Sequence, residues 1–283
     1  MDQLIKEYKN YLKLLGLAPR TIKIYISIIR KYLTVYPQPR IVTRAQIVSF
    51  LVQRGQARTI QQSHGALNHF YKGVLNMGCI KKVPIPKIPE YIPNILSEEE
   101  VYQLVNSIKN LKHEAIIQLT YSCALRIGEV LNLKVEHISK AENQIKIVSC
   151  KGNKTAYVPI PEPTKNLLRL YYHYYRPKIY LFEGNRGVKY SRSSVRKVLN
   201  AALKNIGIKK HIRVHDLRHS RATHLLQNGM DIKLLKEILR HKKIETTERY
   251  THLTTKNLET AMQMADNNIK ERLTTKTLPS HAA

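Results

Sequence analysis

The prominent polar groups of this chain are basic: Arg126, Lys151, His215, Arg218 and His241, with Tyr250 close behind. In His215-Asp216-Leu217-Arg218-His219, a helix puts His215 and Arg218 on one face, three residues apart. In the first turn, His215 would stand beside backbone N–H groups that attract an anion. A phosphate against this face could take donors from both residues; the competing reading is a solvated basic helix face. Arg126 falls at a helix boundary beside Glu129. It is either half of a surface ion pair of little worth or a buried guanidinium whose rigid fork suits a phosphate. Lys151 falls at the tip of an expected hairpin. It is either solvated or aimed into a groove to give a proton to a leaving oxygen, with Lys154 as its competitor. Leu239-Arg240-His241 ends one helix, and Thr246 to His252 follows. Most of the 17 tyrosines must pack or stack; only the upstream Arg and His residues single out Tyr250 as a nucleophile.

Other chemistries lack their residues. His215, His219 and His224 have spacings of four and five, but no HExxH glutamate accompanies them and the ligands are too few, so no metal site is expected. Neither GxxxxGK[ST] nor GxGxxG after a strand occurs, so no nucleotide cofactor is expected. No acidic cluster suggests a two-magnesium nuclease.

The chain has 283 residues and a formal charge of +28. Through Ile95 there are 15 basic and 3 acidic residues, and the remainder carries 33 against 17. The excess therefore lies in both parts, and a polyanion contacted by two domains, nucleic acid, is the expected partner. A generally basic protein or a membrane-surface binder is the alternative. The apolar fraction of 43% supports sizeable cores. No stretch is apolar and long enough to span a membrane, and the charged start MDQLIKEYKN does not read as a signal peptide. Cys79, Cys123 and Cys150 are odd in number and widely spread, which excludes a disulfide framework and fits a reducing cytosol.

The elements that must position these residues fall into two parts. The segment 81–96, KKVPIPKIPEYIPNIL, holds four prolines and reads as a semi-rigid extended linker. The expected fold is mainly α with a small β-sheet. A helical bundle covers 1–81, the linker 82–96, a second domain with a C-terminal helix 97–273, and a polar tail 274–283. In the first part, helical spacing joins Leu4, Tyr8, Tyr11, Leu12 and Leu15, and Gly16 stops that helix. Pro19-Arg20-Thr21 opens a second helix, Thr43 caps a third, and Thr59 or Ile60 opens a fourth. In the second part Ser97 to Glu100 is a capping box. Helices are expected near 98–109, 112–124, 164–174, 191–206, 215–227, 231–240, 244–251 and 255–272. Strands at 143–149 and 155–160 flank a turn at Gly152-Asn153.

Taken in order, Arg126 in ALRIGE, Lys151 in KGNK, HDLRH at 215–219, His241 and Tyr250 in TTERYTH resemble the tyrosine recombinase, or phage integrase, family, in its compact Xer-like or transposon-borne form. The resemblance spans the whole chain. It implies a helical DNA-binding domain and a catalytic domain that clamp duplex DNA. It implies that Tyr250 attacks a DNA phosphorus to form a 3′-phosphotyrosyl bond, with no ATP and no metal. Arg126 and Arg218 would hold the non-bridging oxygens, His215 and His241 would add hydrogen bonds, and His215 could accept the tyrosine proton. Lys151 would protonate the departing 5′-oxygen, and Glu129 would support Arg126. The chain departs from the family's frequent Leu-Gly-His-Ser at Leu239-Arg240-His241-Lys242, and Arg240 or Lys242 is expected on the DNA backbone. Further expected DNA contacts are Arg20, Lys23, Arg44, Arg58, Gln61 and His64 in the first domain, and Lys154, Arg192, Arg196 and Arg221 in the second.

The resemblance also implies a homotetramer on two duplexes, a Holliday junction intermediate, accessory DNA-bending or direction-setting proteins, and cytoplasmic action. Leu258, Met262 and Ile269 offer a C-terminal apolar stripe for a neighbouring subunit or for packing in cis. The competing functions are a type IB topoisomerase and a catalytically silent DNA-binding accessory protein.

Overall fold

The computed structural model describes residues 1–78, 80, 83–88, 93–139, 141–148, 155–248 and 250–251. The chain divides into two compact units, the first running from Met1 to Tyr91 and the second beginning at Ile92.

Among the described residues of the first unit, four α-helices surround one apolar core. They are α1 (Asp2–Leu14), α2 (Pro19–Val35), α3 (Arg44–Val52) and α4 (Ala57–Gly73). Pro19 supplies the pre-set φ of a first helical position. Thr43 and Gln46 form a reciprocal capping box before α3. Helix α4 opens at Ala57, two residues before the expected Thr59, because Gly55 turns the chain at φ 75° and Gln56 already stands at the N-cap. Tyr8, Leu12, Ile29, Tyr32, Leu67 and Phe70 are fully buried. The tyrosine hydroxyls in this core stay satisfied. Tyr8 donates to the Ala66 carbonyl at 2.7 Å, Tyr32 and Tyr71 share a 2.6 Å bond, and Tyr71 donates to the Pro39 carbonyl. At Gly73 a Cβ would run into the far end of the Tyr11 ring, so a larger residue there requires that ring to move.

The second unit holds α5 (Glu98–Asn106), α6 (Leu111–Ser122), α7 (Ile127–Val130), α8 (Glu162–Tyr175), α9 (Arg192–Asn205), α10 (Val214–Gln227), α11 (Ile232–Leu239) and α12 (Glu245–Glu248). Its antiparallel sheet runs in the order β1 (Ile138–Ser139), β2 (Gln144–Val148), β3 (Thr155–Pro159). In β2, Ile145 and Ile147 alternate with exposed residues, and Ile145 pairs with Val158. These residues join α6, α8 and α9 in the main core. Ser97 and Glu100 form the expected capping box at α5. The expected turn at Gly152-Asn153 and the expected helix at 255–272 lie outside the described residues.

Helix α10 is buried nearly all round, yet much of what it buries is polar: Asp216, Arg218, His219, Ser220, Thr223 and His224. Burying polar groups is costly unless they are partnered, and most of these are, although the Thr223 hydroxyl is buried without a hydrogen-bond partner. Arg213 pairs with Asp216 at 3.0 Å. The Ser220 hydroxyl donates to the Asp216 carbonyl and accepts from the Leu96 backbone N–H. His224 is held between the Tyr121 hydroxyl and the Leu96 carbonyl. This helix is a polar scaffold inside an apolar shell, and it carries the site.

Candidate active site

Three chain segments meet at α10. The first leaves α6 through Ala124, whose φ of 46° is left-handed. Backbone strain of this kind persists where the surroundings fix it; here the Ala124 carbonyl accepts from Arg218 Nη1 at 2.7 Å. Two residues on, Arg126 is the N-cap of α7. Glu129 reaches back to the Arg126 backbone N–H at 2.8 Å and to its Nη1 at 2.9 Å. One carboxylate thus fixes both the backbone and the fork of Arg126, while a substantial part of the Arg126 side chain stays open to solvent.

Arg218, from α10, is 1% exposed. Its Nη2 donates to the Leu239 carbonyl at the end of α11 and lies 3.3 Å from His241 Nε2. Its Nη1 stands 3.8 Å from Glu129 Oε2. A guanidinium only donates, so His241 Nε2 accepts, which leaves Nδ1–H facing Thr247 Oγ1 at 2.9 Å.

The third segment runs from α11 through His241 to Tyr250. The Tyr250 ring is 1% exposed and stacks on His241 with an interplanar angle of 9°. Its hydroxyl lies 2.7 Å from Nδ1 of His219, not on His215. His215 and His219 are in edge contact, with centroids 4.6 Å apart. A continuous run of contacts therefore joins Arg126, Glu129, Arg218, His241, Tyr250, His219 and His215. In this conformation the Tyr250 hydroxyl is withdrawn from solvent and must leave His219 before it can attack anything.

Charge sets the protonation states. His215 keeps an exposed edge, but the protein crowded around it and the Arg218 and Arg126 cations push its pKa down to about 4. It is neutral at physiological pH, and the same surroundings oppose its protonation until they change. Burial, with Arg126 and Arg240 alongside, lowers Arg218 to about 9, so it remains charged at neutral pH. Burial raises Glu129, but Arg240 and Arg126 outweigh that and hold its carboxyl below the usual range.

The other expected site residues divide. Arg20, Lys23, Arg44, Arg58, Arg192, Arg196 and Lys242 are exposed. Lys151 and Lys154 lie outside the described residues. Gln61 and His64 face inward instead: Gln61 donates to the Pro86 carbonyl, and His64 Nε2 lies 3.4 Å from that of Ile80. Arg221 stacks over the Tyr121 ring at 5.5 Å. Arg240 differs most from expectation, because its Nη2 turns inward to Glu129 Oε2 at 2.7 Å. The sequence offers His219 only as a possible metal ligand and does not single out Thr247; His219 stands in HDLRH, one turn beyond His215, and its contact with Tyr250 carries no sequence signal. Among the described residues no three His, Cys, Asp or Glu side chains group as metal ligands, and no helix is long and apolar enough to cross a membrane.

A buried arginine and a half-exposed one share a carboxylate, and a tyrosine lies between two histidines of the same cluster; this arrangement suits phosphoryl transfer through a tyrosine. A family model described as the phage integrase family matches residues 94–257. The tyrosine recombinase XerA of Pyrococcus furiosus is 32% identical over 281 residues, which covers 96% of each chain. The crystal structure of XerA recombinase has a TM-score of 0.57 at 27% identity, covering 93% of this chain and 98% of that one. A lambda integrase tetramer bound to a Holliday junction shares the fold, with a TM-score of 0.73 at 15% identity and coverage of 88% and 76%. The chain belongs to the phage integrase family. Its activity is that of a tyrosine recombinase, site-specific exchange of DNA strands, and this reading prevails over the topoisomerase and the silent binder.

Proposed function

We propose that this chain exchanges strands between two duplex target sites with Tyr250 as the nucleophile. The observation that carries the reading is the run of contacts from Arg126 through Arg218 and His241 to Tyr250. Once Tyr250 has left His219, its oxygen forms a bond to the scissile phosphorus and the bond to the 5′-oxygen breaks. The tyrosine proton passes to neutral His215, and the 5′-oxygen takes a proton from Lys151. Arg126 and Arg218 stabilise the charge that grows on the non-bridging oxygens. His241 adds a hydrogen bond after turning from Arg218. The phosphodiester survives as a 3′-phosphotyrosine, so rejoining needs no ATP and no metal.

The 5′-hydroxyl of the partner duplex reverses the step, one strand at a time, through a Holliday junction. Four copies of the chain on two duplexes supply the four tyrosines, as the tetrameric lambda integrase on its junction supports. Exposed Arg20, Lys23, Arg44, Arg58, Arg192, Arg196 and Lys242 supply backbone contacts, together with Lys154, and accessory DNA-bending proteins set direction. The work is cytoplasmic, either integration and excision of an element or resolution of a replicon. A plasmid carrying two copies of the site tests the reading: deletion or inversion between them supports it. Relaxation of a one-site plasmid without exchange favours a topoisomerase.

A further inference from the structure

Arg240 ends α11 at φ 53° and ψ 45°, a conformation that favours glycine. Its guanidinium spans two acceptors. Nη2 donates to Glu129 Oε2 at 2.7 Å, and Nη1 donates to the Ile238 carbonyl at 2.9 Å. The side chain is 15% exposed, and its Nε is buried without a hydrogen-bond partner. A side chain that keeps a strained backbone and an orphaned Nε is held by what its fork touches.

Glu129 is what it touches, and Glu129 is shared. Oε1 serves Arg126 Nη1, while Oε2 serves the Arg126 backbone N–H and Arg240. With Oε2 occupied, the carboxylate stays 3.8 Å from Arg218, an ion pair that does not close to a hydrogen bond. Arg218 instead donates to the carbonyls of Ala124 and Leu239. Arg240 and Arg218 thus cap the last two carbonyls of α11, Ile238 and Leu239, directly before His241. Cations at a helix C-terminus also oppose its negative dipole end. Removing Arg240 frees Oε2 to draw Arg218 inward and loosens the turn that carries His241.

We propose that Arg240 is a positioning residue for strand cleavage: it holds Glu129 off Arg218 and fixes the His241 turn, so that Arg126 and Arg218 keep donors for the scissile phosphate. The role rests on the reading of those two arginines as the phosphate clamp. It replaces the expectation that Arg240 grips the DNA backbone.

The test is single-turnover cleavage of a nicked duplex site at saturating protein, with DNA affinity measured over a salt series. The proteins are wild type, Arg240→Ala, Arg240→Lys, Glu129→Gln and the Arg240→Ala/Glu129→Gln double variant. Arg240→Ala slows cleavage by about tenfold to a hundredfold, the scale set by misplacement of about 1 Å at a reacting group. Its affinity and salt slope stay at wild-type values. Arg240→Lys regains part of the rate, since its ammonium still reaches Glu129, and the double variant is no slower than Glu129→Gln alone. Melting curves show which variants are folded; if Arg240→Ala is not, the partial rate of Arg240→Lys and its wild-type salt slope decide. A salt slope smaller by about 0.9 in Arg240→Ala, the signature of one lost phosphate contact, overturns the role. So does a wild-type rate, or losses that simply add in the double variant. A wild type that forms no adduct overturns the tyrosine chemistry itself, and the role with it.

Discussion

The Tyr250 hydroxyl sits 2.7 Å from Nδ1 of His219, buried on the α10 scaffold. The proposed nucleophile is therefore stored against a histidine that is not its expected base. If Tyr250 attacks as proposed, cleavage starts by breaking this contact.

That contact has a thermodynamic signature. His219→Ala and Tyr250→Phe each remove half of a buried hydrogen bond, at a cost of about 1–3 kcal/mol where the partner is left unpaired. In a double-mutant cycle on urea unfolding, the two losses should overlap by about 1 kcal/mol. Additive losses would mean that the rings pack without coupling.

The His215 imidazole should titrate far below the ordinary histidine value, near 4, because of its crowded site and the Arg218 and Arg126 charges. NMR titration of the ring protons reads this directly, and Arg126→Met should raise the midpoint. Between about 4 and the ordinary value the unfolded chain binds more protons than the folded one. This group therefore removes stability as pH falls through that window, and His215→Gln should flatten the slope there. A midpoint at or above the ordinary value contradicts the geometry.

Arg218→Lys keeps the charge but loses the fork. A single ammonium cannot serve the Ala124 and Leu239 carbonyls and face His241 together. One carbonyl left unpaired costs about 1–3 kcal/mol, visible in the urea midpoint. Cleavage should fall much further than DNA affinity. Equal falls in both would make Arg218 a mere binding contact.

Exposed and inward cations should separate in salt. Lys242→Gln should reduce the slope of log affinity against log salt by about 0.9, as one lost phosphate contact does. Arg221→Gln should leave it unchanged, since that guanidinium lies over Tyr121. The reverse result would place the DNA on the other face of α10.

Much of this was legible locally. The cap at Thr43, the capping box at Ser97 and the strand expected at 143–149 are short-range signals, and the structure has α3 starting after Thr43, the Ser97 box and a strand at Gln144–Val148. Strand β1 has two residues, too few for any periodicity to register. What the sequence hid was long-range. Arg240 meets Glu129 across 111 residues, and His219 meets Tyr250 across 31. A basic residue beside a site histidine reads as a DNA contact until the fold brings a carboxylate to it. The carbonyl partners of Gln61 and His64 were hidden for the same reason, since backbone acceptors carry no sequence signal.

The most direct test of the account is covalent trapping on nicked suicide substrates drawn from DNA flanking the native gene. The reaction is run in EDTA with wild type and Tyr250→Phe side by side. The account predicts a protein–DNA adduct from wild type alone, formed without metal and linked through Tyr250. An adduct surviving in Tyr250→Phe, or none from a wild type that binds its site tightly, would contradict it.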